Sequence, residues 1–422
     1  MNGTMRFIGK LIFIVILLLL LFSFAMFQGG FVSWFLFFGY LPIFLYHFGL
    51  LIYPIKKWEV TRSLSHHVIR AGDSVSVAVR VKRKVPYPLY YCICEEIFPS
   101  SLNKVDDRKE KYRYLDQPAE LQVNRMIKKV VFPGFRKEIE LPYRIEQVPR
   151  GEHQLHAIRI KTGDVFGFIK KEHVFLVADQ LVAYPNECPI HMTERISSFE
   201  QGSISSYTLN LKNTNVATGI REYMPGDKFS WIDWKQTARK NSVMTKEFEQ
   251  EKSTDTMLIL DCCYHEGINP LAFEAAIEVT ISLLEAIRKQ ASQVGLVSVG
   301  EDAVYFPLHH DPTKKEWMRQ HLTRIQPSGK RPFAVKLKEE TMKLSSGNIV
   351  MIITTLLDDA LKESLQQVKQ RSKRVIVIFI QAHSLVSQQE YSIIQQLQFE
   401  GVAVTMLTEQ QLVQNTIEVN VL

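Results

Sequence analysis

Residues 11–55 read LIFIVILLLLLFSFAMFQGGFVSWFLFFGYLPIFLYHFGLLIYPI, a run of 45 residues without a single Asp, Glu, Lys or Arg. As one α-helix this run would extend about 68 Å, whereas the hydrocarbon core of a bilayer is about 30 Å thick. Two crossings fit that thickness, and the Gln-Gly-Gly sequence at 28–30 interrupts the run near its middle. We therefore predict a transmembrane hairpin over residues 1–57, with helices near 11–27 and 31–55.

A cleaved signal peptide is the alternative interpretation of the first apolar segment. It requires small residues at a cleavage site, which the Ser-Phe-Ala-Met-Phe sequence at 23–27 supplies poorly, and it leaves the second apolar segment unexplained. Basic residues flank both outer ends of the hairpin but not its turn; they are Arg6, Lys10, Lys56 and Lys57. By the positive-inside rule we expect a two-span cell-membrane protein with both termini in the cytoplasm. We expect the lone His47 of the second span to be an interfacial or helix-contact residue.

Length, cysteine content and charge limit the classes to which the remainder can belong. The 422 residues correspond to about three structural units. Five cysteines make no disulfide framework and fit a reducing compartment. Four of the 51 basic residues flank the hairpin, which leaves 47 basic against 44 acidic residues, so a nucleic acid is not an expected partner.

Residues 58–185 have the pattern of short strands. The segment 75–81 (Val-Ser-Val-Ala-Val-Arg-Val) alternates apolar and polar residues, as a half-buried strand does. The sequence Asp-Val-Phe-Gly-Phe at 164–168 is interpreted as a turn whose Phe166 and Phe168 act as apolar plugs. The regular spacing predicts a β-sandwich. Its further strands are predicted near 90–97, 120–131, 137–145, 153–161 and 173–184.

Two short motifs in this region raise the question of a metal site, His66-His67 and Cys92-Ile93-Cys94. No second Cys pair follows at zinc-binding spacing. We also expect the thiols of Cys92 and Cys94 to face opposite sides of their strand. Neither motif is therefore predicted to bind metal.

Residues 254–422 alternate apolar strands with amphipathic helices, which is typical of a doubly wound, mainly parallel sheet. Strands are predicted near 256–260, 293–299, 348–354, 374–380 and 402–407, with an antiparallel neighbour near 303–308. Helices are predicted near 270–289, 314–325, 333–344, 359–370 and 388–399. Ligands of such sheets bind at the carboxyl ends of the strands. The polar residues predicted at those ends are Asp261, Thr354, Thr355 and Asp358.

The chain lacks the motifs of several common enzyme classes. No P-loop, Gly-x-Ser-x-Gly, His-Glu-x-x-His or Gly-x-Gly-x-x-Gly sequence occurs. The catalytic alternative that remains is a membrane-bound hydrolase or thiol enzyme at the sheet edge, using Asp261, Cys262, Cys263 and His265. For the two adjacent cysteines we favour a buried structural role.

The most informative stretch is 219–239, GIREYMPGDKFSWIDWKQTAR, which we call the block. It carries two tryptophans three residues apart, and Ser230 with Asp233 resembles a capping box for a short helix over 231–239. The block is either a structural clip for a linker over 186–253 or a partner-binding surface, since Trp and Arg are common at interface hot spots. The candidate partner-binding residues are Arg221, Tyr223, Asp227, Trp231, Asp233, Trp234 and Arg239.

The block also carries a specific pattern, Arg-x-Tyr-x-x-Gly-Asp followed by Ile-x-Trp-Lys-x-Thr-Ala-Arg. It resembles that of the domain-of-unknown-function 58 family of bacterial membrane proteins, whose members often accompany MoxR-type AAA+ ATPases. Ser230 stands where the family has a second arginine. The turn at 164–168 and the two-span N-terminus resemble the family as well. The matching residues of the block are Arg221, Tyr223, Gly226, Asp227, Ile232, Trp234, Lys235, Thr237, Ala238 and Arg239.

The resemblance implies a von Willebrand factor A-like fold for residues 254–422, a fold that often binds Mg²⁺ through Asp-x-Ser-x-Ser after the first strand. Asp261, Cys263 and His265 occupy those positions here, so softer ligands replace both serines. We predict no metal and no cofactor at this degenerate site, which also includes Thr354 and Asp358. The function implied is a membrane-anchored, non-enzymatic scaffold that binds a MoxR-type AAA+ ATPase through its cytosolic domain, in a chaperone-like or envelope-assembly role.

Overall fold

The computed structural model describes residues 2–192, 217–224, 229–248, 255–289, 293–307, 312–344 and 346–420. The chain divides into two compact units. The first comprises Met1–Asn186 with Arg319–Ile325, and the second comprises Glu187–Met318 with Gln326–Leu422. The first unit therefore contains both the N-terminal apolar segments and the strand-rich region.

Two long helices, α1 (Asn2–Gln28) and α2 (Phe31–Ile52), form the N-terminal hairpin. Both are long and apolar enough to cross a membrane, and their apolar windows have mean hydropathies of 2.8 and 1.9. They are separated at Gly29, whose φ of +60° is a conformation that glycine adopts without strain. The predicted pair of apolar helices is confirmed. α1 begins at Asn2 rather than near residue 11, so Arg6 and Lys10 are also helical.

Eight strands form two sheets between Glu59 and Tyr184. The antiparallel three-stranded sheet contains, in spatial order, β1 (Glu59–Leu64), β3 (Val75–Lys82) and β6 (Glu138–Ile145). The five-stranded sheet contains, in spatial order, β2 (Val68–Arg70), β8 (Lys170–Tyr184), β7 (Gly151–Gly163), β4 (Tyr91–Ile97) and β5 (Lys128–Val131). We refer to these eight strands and their loops as the β-body.

The two sheets share one hydrophobic core. Burial alternates along β3, so Val77 and Val79 point inward and belong to the same core as Ile158 and Leu181 of the larger sheet. Leu50, near the end of α2, belongs to that core too. The end of the hairpin is therefore packed into the β-body rather than tethered to it by a free linker.

A buried ion pair also joins the two sheets. Arg62 of β1 contacts the carboxylate of Glu96 in β4, and the Tyr143 hydroxyl of β6 donates to the same carboxylate. Burial raises the pKa of Glu96 despite the opposing charge of Arg62. Because Arg62 and Glu96 are far apart in sequence, no local pattern indicates this pair.

Two expectations for the β-body are corrected by the structure. Of the predicted strand over 120–131 only Lys128–Val131 forms, because a 3₁₀ turn occupies Pro118–Leu121 and only the final segment pairs with β4. Cys92 and Cys94 do not face opposite sides but lie in one core, since residues two apart in a strand share a face. Burial raises the pKa of each thiol to about 12.

Two small sheets belong to the second unit. β9 (Ile190–Met192) pairs in parallel with the last strand, β18 (Ile417–Val419), a pairing that the sequence did not predict. β10 (Ala217–Glu222) pairs antiparallel with β11 (Met244–Phe248), and the short helix α3 (Trp234–Lys240) lies between them in sequence. This β10–α3–β11 module contains the described part of the block.

The main sheet of the second unit has six strands in the order β14, β13, β12, β15, β16, β17. All neighbours are parallel except β14, which is antiparallel to β13 as predicted. The strands are β12 (Thr256–Asp261), β13 (Val294–Val299), β14 (Ala303–Phe306), β15 (Ile349–Thr354), β16 (Arg374–Ile380) and β17 (Ala403–Leu407). The remaining helices are α4 (Pro270–Lys289), α5 (Pro312–Arg324), α6 (Phe333–Lys343), α7 (Asp359–Arg371), α8 (Gln388–Phe399) and α9 (Glu409–Val413).

Both faces of this sheet are covered, which is why its strands are almost continuously apolar. Ile259 of β12 shares a core with Leu337 of α6 and Leu365 of α7, whereas α4 packs on β12, β13, β15 and β16 outside that core. β12 lies between β13 and β15: the next strand in sequence, β13, is added on one side of β12, and β15 is added on the other side. This reversal is a topological switch point, the place where open α/β sheets commonly bind ligands.

Candidate functional site

The switch point brings Asp261, at the end of β12, next to Thr354, at the end of β15. The Asp261 carboxyl accepts a hydrogen bond from the backbone N–H of Cys263 at 2.9 Å, and its Oδ2 lies 2.7 Å from Thr354 Oγ1. That same Oγ1 lies 2.9 Å from the carbonyl oxygen of Leu356 and accepts from the N–H of Leu356 at 3.2 Å. Asp261 and Thr354 are both buried.

The hydrogen-bond pattern favours a protonated Asp261. A hydroxyl has one hydrogen, so Thr354 cannot donate to both Asp261 and the Leu356 carbonyl. A protonated Oδ2 would donate to Thr354, which would then donate to that carbonyl, and every group would be satisfied. Burial raises the pKa of Asp261 to about 7, against the opposing hydrogen bonds from Cys263 and Thr354. A neutral carboxylic acid is a weaker ligand for a hard cation than a carboxylate.

Replacing Asp261 with asparagine should therefore make the second unit less sensitive to alkaline pH. The folded-state pKa lies above the unfolded value, so the stabilisation is complete below about pH 4 and is lost as the pH rises through about 7. Asparagine imitates the neutral acid, with its amide N–H directed at Thr354, and does not ionise. At about 1.4 kcal/mol per unit of pKa shift, the wild type should lose a few kcal/mol between about pH 5 and about pH 8 that Asp261→Asn keeps. Hydrogen exchange of the second unit during denaturant titration at the two pH values tests this, and equal losses in both proteins would contradict it.

A pocket of about 430 Å³ lies beside Asp261, and its lining includes Cys263, His265 and Asp358 of the degenerate site. Asp358 is engaged elsewhere, because its Oδ1 caps α7 by accepting from the N–H of Leu361 at 2.7 Å. His265 Nε2 lies 3.5 Å from the Thr355 hydroxyl. Among the described residues, no group of three or more His, Cys, Asp and Glu is arranged to hold a metal. That this pocket binds no metal remains a prediction, which saturable micromolar binding of Mg²⁺ or Mn²⁺ in a calorimetric titration would contradict.

The two cysteines after β12 are buried, as are the other three cysteines of the chain. Burial, and then the nearby Asp261, raise the pKa of the Cys263 thiol to about 12, so little thiolate exists at neutral pH. We expect iodoacetamide to leave all five thiols of the folded protein unmodified at about pH 7.5 and to modify all five after denaturation. Mass spectrometry counts the adducts. Rapid modification of Cys262 or Cys263 in the folded protein would instead support the thiol-enzyme alternative.

The block lies in the β10–α3–β11 module, and several of its polar residues stabilise the local structure. Asp233, rather than Ser230, caps α3, accepting from the N–H groups of Lys235 and Gln236. The predicted helix therefore starts three residues late, because Phe229–Trp231 forms a separate 3₁₀ turn. Thr237 Oγ1 accepts from the N–H of Met244 at 3.0 Å and fixes the helix to β11.

The candidate partner-binding residues of the block have different environments. Arg221, Tyr223 and Trp231 are half-buried, and the Tyr223 ring lies 6.2 Å from that of Phe229. Trp234 is 68% exposed, and Arg239 is exposed on the same helix. Asp227, like Gly226, lies outside the described residues.

The β10–α3–β11 module carries several exposed apolar residues. Phe229 is 78% exposed, a larger fraction than for Trp234, and neither side chain is needed to fill a core. Lys235 and Arg239, two basic residues on the same helix as Trp234, are exposed as well. We call this set the Trp234 surface; it consists of Met224, Phe229, Trp234, Lys235, Arg239 and Val243.

A buried polar contact that sequence reasoning missed lies in the first unit. His47 of α2 places Nε2 3.2 Å from Asp164 Oδ2, and its Nδ1 lies 2.7 Å from the Ile43 carbonyl. A carbonyl only accepts, so the Nδ1 atom of His47 donates to Ile43, and the Nε2 atom faces the Asp164 carboxylate. Two features of the sequence could have indicated this contact: a single histidine within an apolar span, and an aspartate at the start of an apolar turn.

Phe166 and Phe168 of that turn do not act as plugs, contrary to the prediction. They are 63% and 57% exposed. Their rings each lie 6.0 Å from the His47 ring, at the side of the hairpin. The backbone of the turn is held instead by Asp164, whose carboxylate accepts from the N–H groups of Phe166, Phe168 and Ile169.

Comparisons with known proteins identify relatives of unknown function. The family model described as "Protein of unknown function DUF58" matches residues 219–391, which include the block and the switch point. The "Uncharacterized protein YeaD" of Bacillus subtilis (strain 168) is 33% identical over 348 residues, covering 82% of each chain. Among solved structures, the PilB minor pilin from Streptococcus sanguinis matches at 8% identity with a TM-score of 0.29, covering 77% of this chain and 85% of the pilin. The bacterial hydrophobin BslA matches at 10% identity with a TM-score of 0.17, covering 29% of this chain and 98% of BslA.

Proposed function

This chain belongs to the DUF58 family of proteins of unknown function, and we propose that it is a membrane-anchored, non-enzymatic scaffold. In this proposal the hairpin of α1 and α2 crosses the cell membrane twice, with both termini in the cytoplasm. The second unit, which we propose to be von Willebrand factor A-like, then recruits a protein partner at the membrane. The two long apolar helices and the basic residues at the hairpin's outer ends support the anchoring.

The exposure of Trp234 is the observation that carries the proposal. A large aromatic side chain in water forgoes the roughly 1.5–3 kcal/mol that burial would supply, and the fold does not require it there. The local structure is stabilised by two polar side chains of the β10–α3–β11 module: Asp233 caps α3, and Thr237 accepts from the N–H of Met244. Exposed apolar residues rimmed by charged ones are typical of protein-binding surfaces.

For the partner we propose a MoxR-type AAA+ ATPase, in a chaperone-like or envelope-assembly role. This choice rests on the family resemblance of the block. The chemistry of the Trp234 surface is compatible with it, because Lys235 and Arg239 beside an apolar patch suit an acidic partner surface with an apolar pocket.

The alternative, a membrane-bound hydrolase or thiol enzyme at the switch point, has less support. Its nucleophile would be Cys262 or Cys263, and both thiols are buried. The pKa of Cys263 is raised to about 12 by burial, which opposes nucleophilic activation.

The proposal is tested by purifying the full-length chain from its native membrane in mild detergent with a non-hydrolysable ATP analogue. We expect an AAA+ ATPase to co-purify in amounts that depend on the nucleotide. The matched control is the same membrane without the affinity tag on the chain. If no ATPase is recovered under any nucleotide condition, the proposed partner is wrong.

A further inference from the structure

Several loops of the β-body leave its strands at the end that adjoins the hairpin. β1 begins at Glu59, immediately after the hairpin, and its register pairs Glu59 with Lys82, which in turn pairs with Glu138. The loop 83–90 after β3 and the loop 132–137 before β6 therefore lie at the hairpin end of the smaller sheet.

The larger sheet contributes a third loop at the same end. Tyr91 at the start of β4 pairs with Gly163 at the end of β7, and Gly163 pairs with Lys170 at the start of β8. The turn 164–169 between β7 and β8 is therefore beside the start of β4, which follows the loop 83–90 directly. We call the three loops 83–90, 132–137 and 164–169 the hairpin-end loops.

Direct contacts join two of these loops to α2 and the residue that follows it. The Tyr87 hydroxyl donates to the carbonyl of Tyr46, and the Tyr53 hydroxyl donates to the carbonyl of Val85 at 2.7 Å. His47 contacts Asp164, as described above. The loop 132–137 is connected to the loop 83–90 through backbone pairing of Leu89 with Gly134.

The hairpin-end loops carry a disproportionate share of the exposed apolar surface. Together they have 20 of the 128 residues between Glu59 and Asn186, yet they hold seven of the 14 large hydrophobic side chains that are exposed in that segment. The seven are Val85, Tyr90, Phe132, Phe135, Val165, Phe166 and Phe168.

The charges within these three loops are mostly positive. The loops contain one acidic residue, Asp164, which is buried and paired with His47. The flanking strands add Glu59, Glu138 and Glu172, and Glu59 lies 3.7 Å from Lys84. Exposed basic residues lie beside the apolar side chains and at the end of the hairpin. They are Lys56, Lys57, Lys84, Arg136, Lys137 and Lys170.

We propose that the hairpin-end loops are a second membrane-contacting surface, which lies in the headgroup region of an anionic leaflet with its aromatic side chains at the acyl boundary. This inference rests on the membrane anchoring in the proposed function, because the hairpin brings the bilayer to these loops. Amphipathic surfaces of this kind are buried about 5–10 Å into the interface, and nearby basic residues add attraction to anionic lipids. The proposal also accounts for an apolar pocket of about 450 Å³ between Phe166, Phe168 and the hairpin helices, which lipid chains would fill.

The surface orients the β-body as well as anchoring it. A two-helix hairpin followed by a free linker would leave the cytosolic units free to tumble. Here three loops on the same end of the β-body would contact the bilayer together, so the β-body would be held at a fixed tilt.

The test uses the full-length chain in lipid nanodiscs, with an environment-sensitive NBD label at single introduced cysteines. Phe135→Cys and Phe166→Cys report on the proposed surface. Val68→Cys is the matched control, because Val68 is 51% exposed but pairs with Val182, about 40 Å along β8 from Lys170. Phe38→Cys, in α2, reports on insertion of the hairpin itself. Wild-type protein treated identically gives the background from the five buried native cysteines.

In nanodiscs of phosphatidylcholine with phosphatidylglycerol, we expect lipid-borne nitroxide to quench the labels at 135 and 166 strongly and the label at 68 hardly at all. Aqueous iodide should give the reverse order. Removing the anionic lipid should reduce the nitroxide quenching at 135 and 166 but not at 38.

Three results would overturn the inference, and one of them would also overturn the proposed function. If the label at 38 is quenched by nitroxide while those at 135 and 166 behave like the label at 68, the hairpin is inserted but the loops do not touch lipid. If the label at 38 is accessible to iodide, the membrane anchoring of the proposed function fails together with this inference. Labels at 135 and 166 that neither quencher reaches would indicate a covering protein surface and would also refute lipid contact.

Discussion

Replacing Asp164 with alanine is expected to lower the free energy of unfolding of the first unit by about 3–5 kcal/mol, because it removes a buried carboxylate that accepts several hydrogen bonds. The Asp164 carboxylate accepts from the N–H groups of Phe166, Phe168 and Ile169, at 3.0, 3.2 and 2.6 Å. It also faces His47 at 3.2 Å. Alanine removes all four interactions and leaves three backbone N–H groups and the His47 side chain without this partner.

Asparagine at the same position should cost less than alanine. Its side-chain oxygen can still accept from the N–H of Ile169, but its amide N–H₂ would face the N–H groups of Phe166 and Phe168. The expected order of stability is therefore wild type, then Asp164→Asn, then Asp164→Ala. A purely space-filling role for Asp164 would instead make the asparagine variant as stable as the wild type.

The pH dependence of this effect has a definite sign. Burial opposes ionisation of Asp164, but hydrogen bonds from Ile169, Phe168 and His47 outweigh it and lower its pKa. A carboxyl whose folded-state pKa is lowered stabilises the fold above its unfolded value of about 3.9, and the stabilisation is lost as the pH falls through the folded-state value. The difference between wild type and Asp164→Ala should therefore be full near neutral pH and shrink in acid.

Hydrogen exchange during denaturant titration of the full-length chain in detergent measures this effect for each unit separately, which a single unfolding midpoint does not. The matched control is Asp116→Ala, because Asp116 is exposed in the same unit and should change stability by less than about 0.5 kcal/mol. An unchanged midpoint for the first unit in Asp164→Ala would show that the His47–Asp164 contact does not support the fold.

The parts of the fold that could be predicted are those whose pattern is local. The helix α4 begins at Pro270 and ends at Lys289 as predicted, because its apolar face repeats at helical spacing and Pro is favoured in a first turn. The strand β16 (Arg374–Ile380) was also placed correctly, since a continuous apolar run between helices indicates a strand buried on both faces.

The parts that could not be predicted depend on distant partners. His47 and Asp164 are 117 residues apart, so nothing near either residue specifies the other. β9 and β18 are three-residue strands that pair across most of the second unit, and segments so short have no periodicity to detect. Phe166 and Phe168 were expected to be plugs because hydrophobicity alone does not distinguish a side chain packed in a core from one on an exposed surface.

The candidate site shows the same limit. Asp261 and Thr354 were each placed at the carboxyl end of a predicted strand. This was sufficient to predict that they lie together, because the carboxyl ends of parallel strands share one edge of the sheet. The sequence of the block indicated important residues but not their roles. Asp233 proves to be a helix cap, whereas Trp234, one residue later, is exposed.

Replacing Trp234 with alanine should therefore separate binding from stability. Because the side chain is 68% exposed, we expect the free energy of unfolding of the second unit to change by less than about 0.5 kcal/mol. If Trp234 anchors the proposed partner, its removal should weaken binding by at least about 2 kcal/mol, or roughly thirtyfold in Kd. Asp233→Ala should instead reduce the stability of the second unit, since losing a helix cap costs about 1 kcal/mol.

The matched control for Trp234→Ala is Trp317→Ala, because Trp317 is a tryptophan of the same unit with 64% exposure that lies outside the block. The measurement is the amount of ATPase recovered with each variant from native membranes, followed by affinity measurement with the purified pair and a thermal melt of each variant. Loss of recovery with Trp234→Ala but not with Trp317→Ala, at unchanged melting temperature, assigns the contact to the Trp234 surface. Equal loss with both variants would point to non-specific adhesion through exposed tryptophan. Unfolding of Trp234→Ala would make the block a structural clip, because only a side chain that the fold requires destabilises it on removal.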